Sequence, residues 1–183
     1  EQLEVQAVLT KPVTPSTLLD ACAIALGQRR GDSGPAERRA RIADAHRAAL
    51  AGARVLVVDD NPINQEIVQE LLADAGASVT QAATGLEAVQ QLDGAAQPFD
   101  LVLMDCQMPV MDGYEATREI RRRPRAAALP VIAMTANNSA ADRAAALVAG
   151  MNDHVAKPID IDAMFETLAR WRRRPDIAAG GTA

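Results

Sequence analysis

The 183-residue chain is predicted to carry a doubly wound α/β domain built on a five-stranded parallel sheet. Three observations predict it. Between Arg54 and Arg172, five short apolar runs alternate with five stretches of helical periodicity, the pattern of repeated strand-helix units. The runs at Arg54–Val58 (RVLVV) and Leu101–Met104 are apolar throughout, as expected of strands covered on both faces. Polar residues follow the strands directly, and open parallel sheets hold their chemistry at the carboxyl ends of strands.

The first strand is Arg54–Val58. Asn61 caps the helix that follows, with Pro62 at its first position. Ile63, Ile67, Leu71 and Ala75 recur every four residues, and Gly76 ends the helix. Ser78–Ala82 is the second strand. Thr84 and Glu87 form a capping box for a helix through Leu92. Leu101–Met104 is the third strand, ending abruptly at Asp105. A helix from Gly113 to Arg123 is stopped by Pro124. Val131–Met134 is the fourth strand, and Ser139 with Asp142 opens a helix that closes at Gly150. His154–Ala156 is a short fifth strand, and Asp162–Arg172 is the last helix.

Composition sets the limits. Hydrophobic residues make up 49%, enough for a core, which excludes disorder throughout. No apolar run approaches the roughly 18 residues of a membrane span, so this segment is expected to make no direct membrane contact. No signal peptide opens the chain. Cys22 and Cys106 make no disulfide framework, which points to a reducing, cytoplasmic setting. The chain begins at Glu1 rather than Met, as a piece of a longer protein would.

The net charge of −5 is unevenly placed. Residues 54–172 carry ten basic and seventeen acidic residues, a net of −7, a poor surface for nucleic acid. Residues 28–53 carry six Arg against three acids, and 29–52 read as an Arg/Ala-rich linker, helical over Ala36–Ala51. With no aromatics to stack on bases, this stretch is expected to be solvated rather than bound to nucleic acid.

A partial repeat divides the chain further. LTKPVTPSTLLDA (Leu9–Ala21) aligns with VAKPIDIDAMFET (Val155–Thr167) at a constant offset of 146 residues. Lys11 and Pro12 match Lys157 and Pro158. The expected layout is a remnant of a preceding similar domain at 1–28, the linker at 29–52, the main domain at 53–173 and a flexible tail at 174–183. The remnant either packs loosely or docks on the main domain or on a second chain, which would make a homodimer.

Reading the residue after each strand assembles a site. Asp59 and Asp60 follow the first strand, Asp105 the third, Thr135 the fourth and Lys157 the fifth. Three carboxylates together repel one another. Mg²⁺ removes that repulsion, prefers carboxylate oxygens and leaves positions for a phosphoryl group. Lys157 and Thr135 add a cation and a hydroxyl around phosphoryl oxygens. Asp105 is then placed to act as nucleophile and form an acyl phosphate.

VLVVDDNPINQ, LVLMDCQMPVMDGYEA, VIAMTAN and HVAKPID closely resemble the receiver domain of two-component signalling, over about two thirds of the chain. The resemblance implies a flavodoxin-like sheet with strand order 2-1-3-4-5 and a domain that catalyses its own phosphorylation and dephosphorylation. It implies Asp105 as phosphoacceptor, with Thr135 and Lys157 on the phosphoryl oxygens. Mg²⁺ would be held by Asp105, by Asp60 directly, by Asp59 largely through water and by the backbone carbonyl of Gln107. Ala136 would leave room for the phosphoryl group, while Gln107 and Asn137 would tune dephosphorylation. His154 stands where the family often has Tyr or Phe as a switch, a departure that puts an aromatic switch in doubt.

NPINQ and GMNDHVAKPID resemble receivers of hybrid sensor histidine kinases, whose catalytic core this chain lacks. The implied phosphodonor is a histidine kinase core or a histidine phosphotransfer domain, docking at Ile63, Asn64, Ile67 and Pro158, in a parent open to membrane tethering. Two other functions compete. A phosphorylation-independent docking module would keep the fold but does not require the full set of acids. A haloacid dehalogenase-type phosphatase also uses Asp, Thr and Lys, but places its nucleophile after the first strand in Asp-x-Asp. Cys106, Trp171, Phe165 and the methionines Met104, Met108, Met111 and Met134 are expected to be packing residues.

Overall fold

A computed structural model describes residues 35–136 and 139–172. The remnant and tail expected at 1–28 and 174–183, and Asn137, lie outside the described residues. The chain divides into two compact units, Glu1–Ile42 and Ala43–Ala183, and the fold described below is that of the second.

Helix α1 (Pro35–Ala48) runs into this second unit. Five strands follow, β1 (Arg54–Val58), β2 (Ser78–Ala82), β3 (Leu101–Asp105), β4 (Val131–Thr135) and β5 (Asp153–Ala156). They alternate with α2 (Pro62–Asp74), α3 (Gly85–Gly94), α4 (Gly113–Arg121), α5 (Ala140–Ala149) and α6 (Ile161–Arg172). All pairings are parallel, in the order β2-β1-β3-β4-β5. The expected sheet and order are therefore present.

The central strands explain why the sheet forms here. Every residue of β3 and β4 is buried, and one core lies on each face of the sheet. Leu56, Val58, Val102, Met104, Val131 and Ala133 point one way; Val55, Val57, Leu101, Leu103, Ile132 and Met134 point the other. The alternation within each strand is the strand period of two, with apolar side chains required on both sides.

The helix ends obey their capping residues. Asn61, Thr84, Asp112 and Ser139 each accept a hydrogen bond from a backbone N–H in the first turn of α2 to α5. The carboxylate of Glu87 reaches back to the Ala83 N–H, one residue earlier than a capping box predicts. α4 stops at Arg121, two residues short of the expected Arg123, with Arg122 as its C-cap and Pro124, which cannot continue the helix, just beyond.

On α2, Ile63 and Ile67 are 65% and 50% exposed, whereas Val68 and Leu72 are buried. The side chains of Asn64 and Gln65 bond to Asp59, and Gln65 also bonds to the Ala82 carbonyl, which rolls α2 so that the 68 and 72 row meets the sheet.

The last residues of the expected linker pack into the domain. Leu50 is fully buried in the same core as Leu72, Phe165 and Leu168. The Arg172 guanidinium donates to the carbonyls of Ala49 and Ala51, and Arg47 lies 5.4 Å from the centre of the Phe165 ring.

Candidate functional site

The site lies at the carboxyl ends of β1, β3, β4 and β5. Asp59 is 1% exposed, Asp105 5% and Thr135 3%, while Asp60 and Gln107 are exposed. Carboxylate oxygens of Asp59, Asp60 and Asp105 lie within 4.8 Å of one another. Lys157 bridges two of these acids, its Nζ donating to Asp59 Oδ2 at 2.8 Å and to Asp105 Oδ2 at 2.6 Å.

Local structure holds each group. Lys157 is fixed by its own backbone N–H, which donates to the Thr135 carbonyl at 2.7 Å, and its peptide bond to Pro158 is cis. Asp105 Oδ1 accepts the Gln107 N–H at 3.2 Å. Gly113 allows the start of α4 to press on the end of β3, since a Cβ there would sit 2.0 Å from the Asp105 carbonyl oxygen. Asp59 Oδ1 accepts the Asn61 N–H at 2.9 Å, and the Asn64 amide spans both Asp59 oxygens at 3.2 and 3.3 Å.

Among the described residues, the carboxylates of the site outnumber the ammonium that bonds them. Burial pushes the Asp105 carboxyl above its ordinary 3.8, and the hydrogen bonds from Lys157 and Gln107 offset this only in part. Burial alone would lower Lys157, but Asp105 and Asp59 outweigh it and hold the ammonium above its ordinary 10.5. Thr135 Oγ1 is buried with no hydrogen-bond partner among the described residues. Asp59 and Asp105 share one ammonium beside the third carboxylate, Asp60, and a buried hydroxyl stands without a partner among the described residues. A hard cation fits the carboxylates, and an oxygen-rich anion fits the hydroxyl and the ammonium.

The other predicted residues are placed as follows. Ala136, at the end of β4, is exposed. His154 is partly buried on β5, with Nδ1 3.6 Å from Asp153 Oδ1. Ile63, Ile67 and Pro158 are exposed, while Asn64 is half-buried with its amide turned inward. Cys106 is 3% exposed beside Tyr114, and burial pushes its thiol up to about 11, so it stays protonated and packs. Sequence reasoning missed the grip of Asn64 and Gln65 on Asp59. The available signal was two amides in the first helical turn after a buried acid.

A doubly wound sheet with an acid triad, a lysine and a buried threonine at its carboxyl edge defines a phosphoryl-handling α/β domain. The model of the response regulator receiver domain matches residues 55–169, and the chain belongs to that family. The signal transduction histidine-protein kinase BarA of Escherichia coli K12 is 35% identical over 173 residues, 94% of this chain. The chain spans only 18% of that relative's length. The crystal structure of the receiver domain of sensor histidine kinase PA1611 from Pseudomonas aeruginosa is 44% identical, with a TM-score of 0.61. It matches over 67% of this chain and 98% of that one, and holds a magnesium ion in its active-site cleft. The receiver domain of Ssk1, solved with the Saccharomyces cerevisiae histidine phosphotransfer protein Ypd1, is 31% identical with a TM-score of 0.63, over 72% of this chain and 96% of that chain. Among the described residues, no helix is long and apolar enough to cross a membrane.

Proposed function

We propose that this chain is a phosphoaccepting receiver of a phosphorelay that takes a phosphoryl group from phosphohistidine onto Asp105 and thereby changes its partner binding. The observation that carries this reading is the buried Asp105 carboxylate, bonded to Lys157, at the same sheet edge as the Thr135 hydroxyl, which has no partner among the described residues. In the transfer, an Asp105 oxygen forms a bond to phosphorus as the bond from phosphorus to the histidine nitrogen breaks, and the imidazole keeps that electron pair. Lys157 turns from the carboxylates to a phosphoryl oxygen, and Thr135 donates to another. Ala136 leaves space, and Gln107 and Asn137 tune dephosphorylation. His154 takes the switch position on β5.

Asp59, Asp60, Asp105 and the Gln107 carbonyl would hold Mg²⁺, which when bound neutralises charge on the carboxylates and phosphoryl oxygens. The magnesium-bound PA1611 receiver supports this assignment. The exposed Ile63, Ile67 and Pro158 form a rim for a histidine kinase core or phosphotransfer domain, with Asn64 between them, and the Ssk1 receiver seen with Ypd1 supports that partner class. The parent is a hybrid histidine kinase, acting in the cytoplasm, with the receiver at 53–173 preceded by the linker and by the remnant of another receiver.

Intact mass after incubation with acetyl phosphate and Mg²⁺ tests the reading. The parent chain should gain one phosphoryl unit and Asp105→Asn none. A parent chain that binds Mg²⁺ but gains no mass from acetyl phosphate or from a phosphohistidine protein would instead be a docking module.

A further inference from the structure

We propose that Asn64 is a positioning residue of the phosphoacceptor site, whose amide keeps the buried Asp59 carboxylate aimed at the cation when Lys157 leaves it. This rests on the function proposed above. An ionised carboxylate at 1% exposure is costly unless its oxygens accept hydrogen bonds. Asp59 has three donors among the described residues: the Asn61 N–H, the Asn64 amide and the Lys157 ammonium.

These donors do not persist equally. Lys157 is shared with Asp105 at 2.6 Å, and phosphorylation moves negative charge outward from Asp105 to the phosphoryl oxygens. The ammonium follows that charge. Asp59 is then left with the Asn61 backbone N–H on Oδ1 and with Asn64, which reaches both oxygens. Asn64 is thus the side chain that still fixes the plane of the carboxylate.

An amide suits this position for an electrostatic reason. A lysine or arginine there would hold Asp59 equally well but would repel the divalent cation. Asn64 donates without adding charge. Its reach is set by the first turn of α2, where Asn61 caps the helix and Pro62 fixes its start. The neighbouring Gln65 bonds both the Asp59 and Ala82 carbonyls, at 2.8 and 2.7 Å, and locks that turn to the strand ends. A partner that orients a metal-binding carboxylate commonly changes metal affinity by about 10- to 100-fold when removed.

The test uses the full chain, with Asn64→Ala and Asn64→Gln. Calorimetric titration with Mg²⁺ alone gives the affinity, and acetyl phosphate uptake against Mg²⁺ concentration gives half-saturation and plateau. Asn64→Ala should weaken Mg²⁺ binding about tenfold and raise the half-saturating Mg²⁺ by a similar factor. Asn64→Gln, which retains an amide, should recover part of the affinity. Unchanged Mg²⁺ affinity in both variants, with only a lower melting temperature, would make Asn64 a structural hydrogen bond and overturn the proposal. If the parent chain takes up no phosphoryl group while Asn64→Ala still weakens Mg²⁺ binding, the phosphorelay reading fails and the positioning role stands.

Discussion

The two ends of the sheet treat charge in opposite ways. At the amino end, cations are spent on backbone carbonyls. Arg121 donates to the carbonyls of Gly150 and Leu129 at 2.8 Å each and to Asn152 Oδ1 at 2.7 Å. Arg172 closes on the carbonyls of Ala49 and Ala51, and Arg54 on those of Gln97 and Pro98. Each guanidinium there ends a chain segment and meets acceptors that stay fixed. At the carboxyl end, two buried carboxylates compete for one ammonium and Thr135 Oγ1 has no partner among the described residues. One end is finished and serves folding. The other is left unfinished and can gain from a ligand, which is the physical meaning of a site.

The strongest way to break this contrast is to cut into the finished end. Leu50→Ala removes a fully buried side chain from the core beneath α2 and α6. The expected loss is about 3 kcal/mol, seen as a fall in melting temperature of roughly 10 °C. At 25 °C the surviving folded protein should take up phosphoryl groups from acetyl phosphate at the parent rate. A matching fall in uptake per folded molecule would mean that the two ends are coupled rather than divided in labour.

How much of this was legible in the sequence depends on what fixes each feature. Strands β1, β3 and β4 announce themselves because burial on both faces leaves only apolar residues, and their ends name Asp59, Asp105 and Thr135. The orientation of α2 does not announce itself. Ile63 and Ile67 offer as good an apolar row as Val68 and Leu72, and the choice is made by side-chain bonds from Asn64 and Gln65 to groups distant in sequence. Leu50 was hidden for a related reason. It is a single apolar plug after a polar helix, so no periodicity marks it, and only Leu72, Phe165 and Leu168 closing around it show its role.

A smaller effect sharpens the contrast through pH. Burial raises Asp105 above its ordinary 3.8, so across that interval the folded chain binds more protons than the unfolded one. Stability therefore falls as pH rises from 3.8 through the raised value, and stays lower above it. In Mg²⁺-free buffer Asp105→Asn should lose this slope and be more stable than the parent chain at neutral pH. Urea midpoints from pH 4 to pH 8 check it, and a neutral-pH midpoint below that of the parent would show that Asp105 is stabilising at rest.

The smallest expected change in stability belongs to Thr135, and it isolates the unfinished end most cleanly. Thr→Val normally damages a buried site because a hydroxyl in use loses its partner. Here the hydroxyl is 3% exposed as part of its residue and has no partner among the described residues, so an apolar group of the same shape removes an unpaid desolvation cost. Thr135→Val should therefore unfold within about 0.5 kcal/mol of the parent, or slightly later. Its uptake from acetyl phosphate should nevertheless drop severalfold, because the hydroxyl meets its acceptor only when phosphoryl oxygens arrive. Urea denaturation and mass-resolved phosphorylation, measured on one preparation, separate the two effects. A loss of stability above 1 kcal/mol would mean that Thr135 is already satisfied at rest, and the division between a finished and an unfinished end would no longer hold.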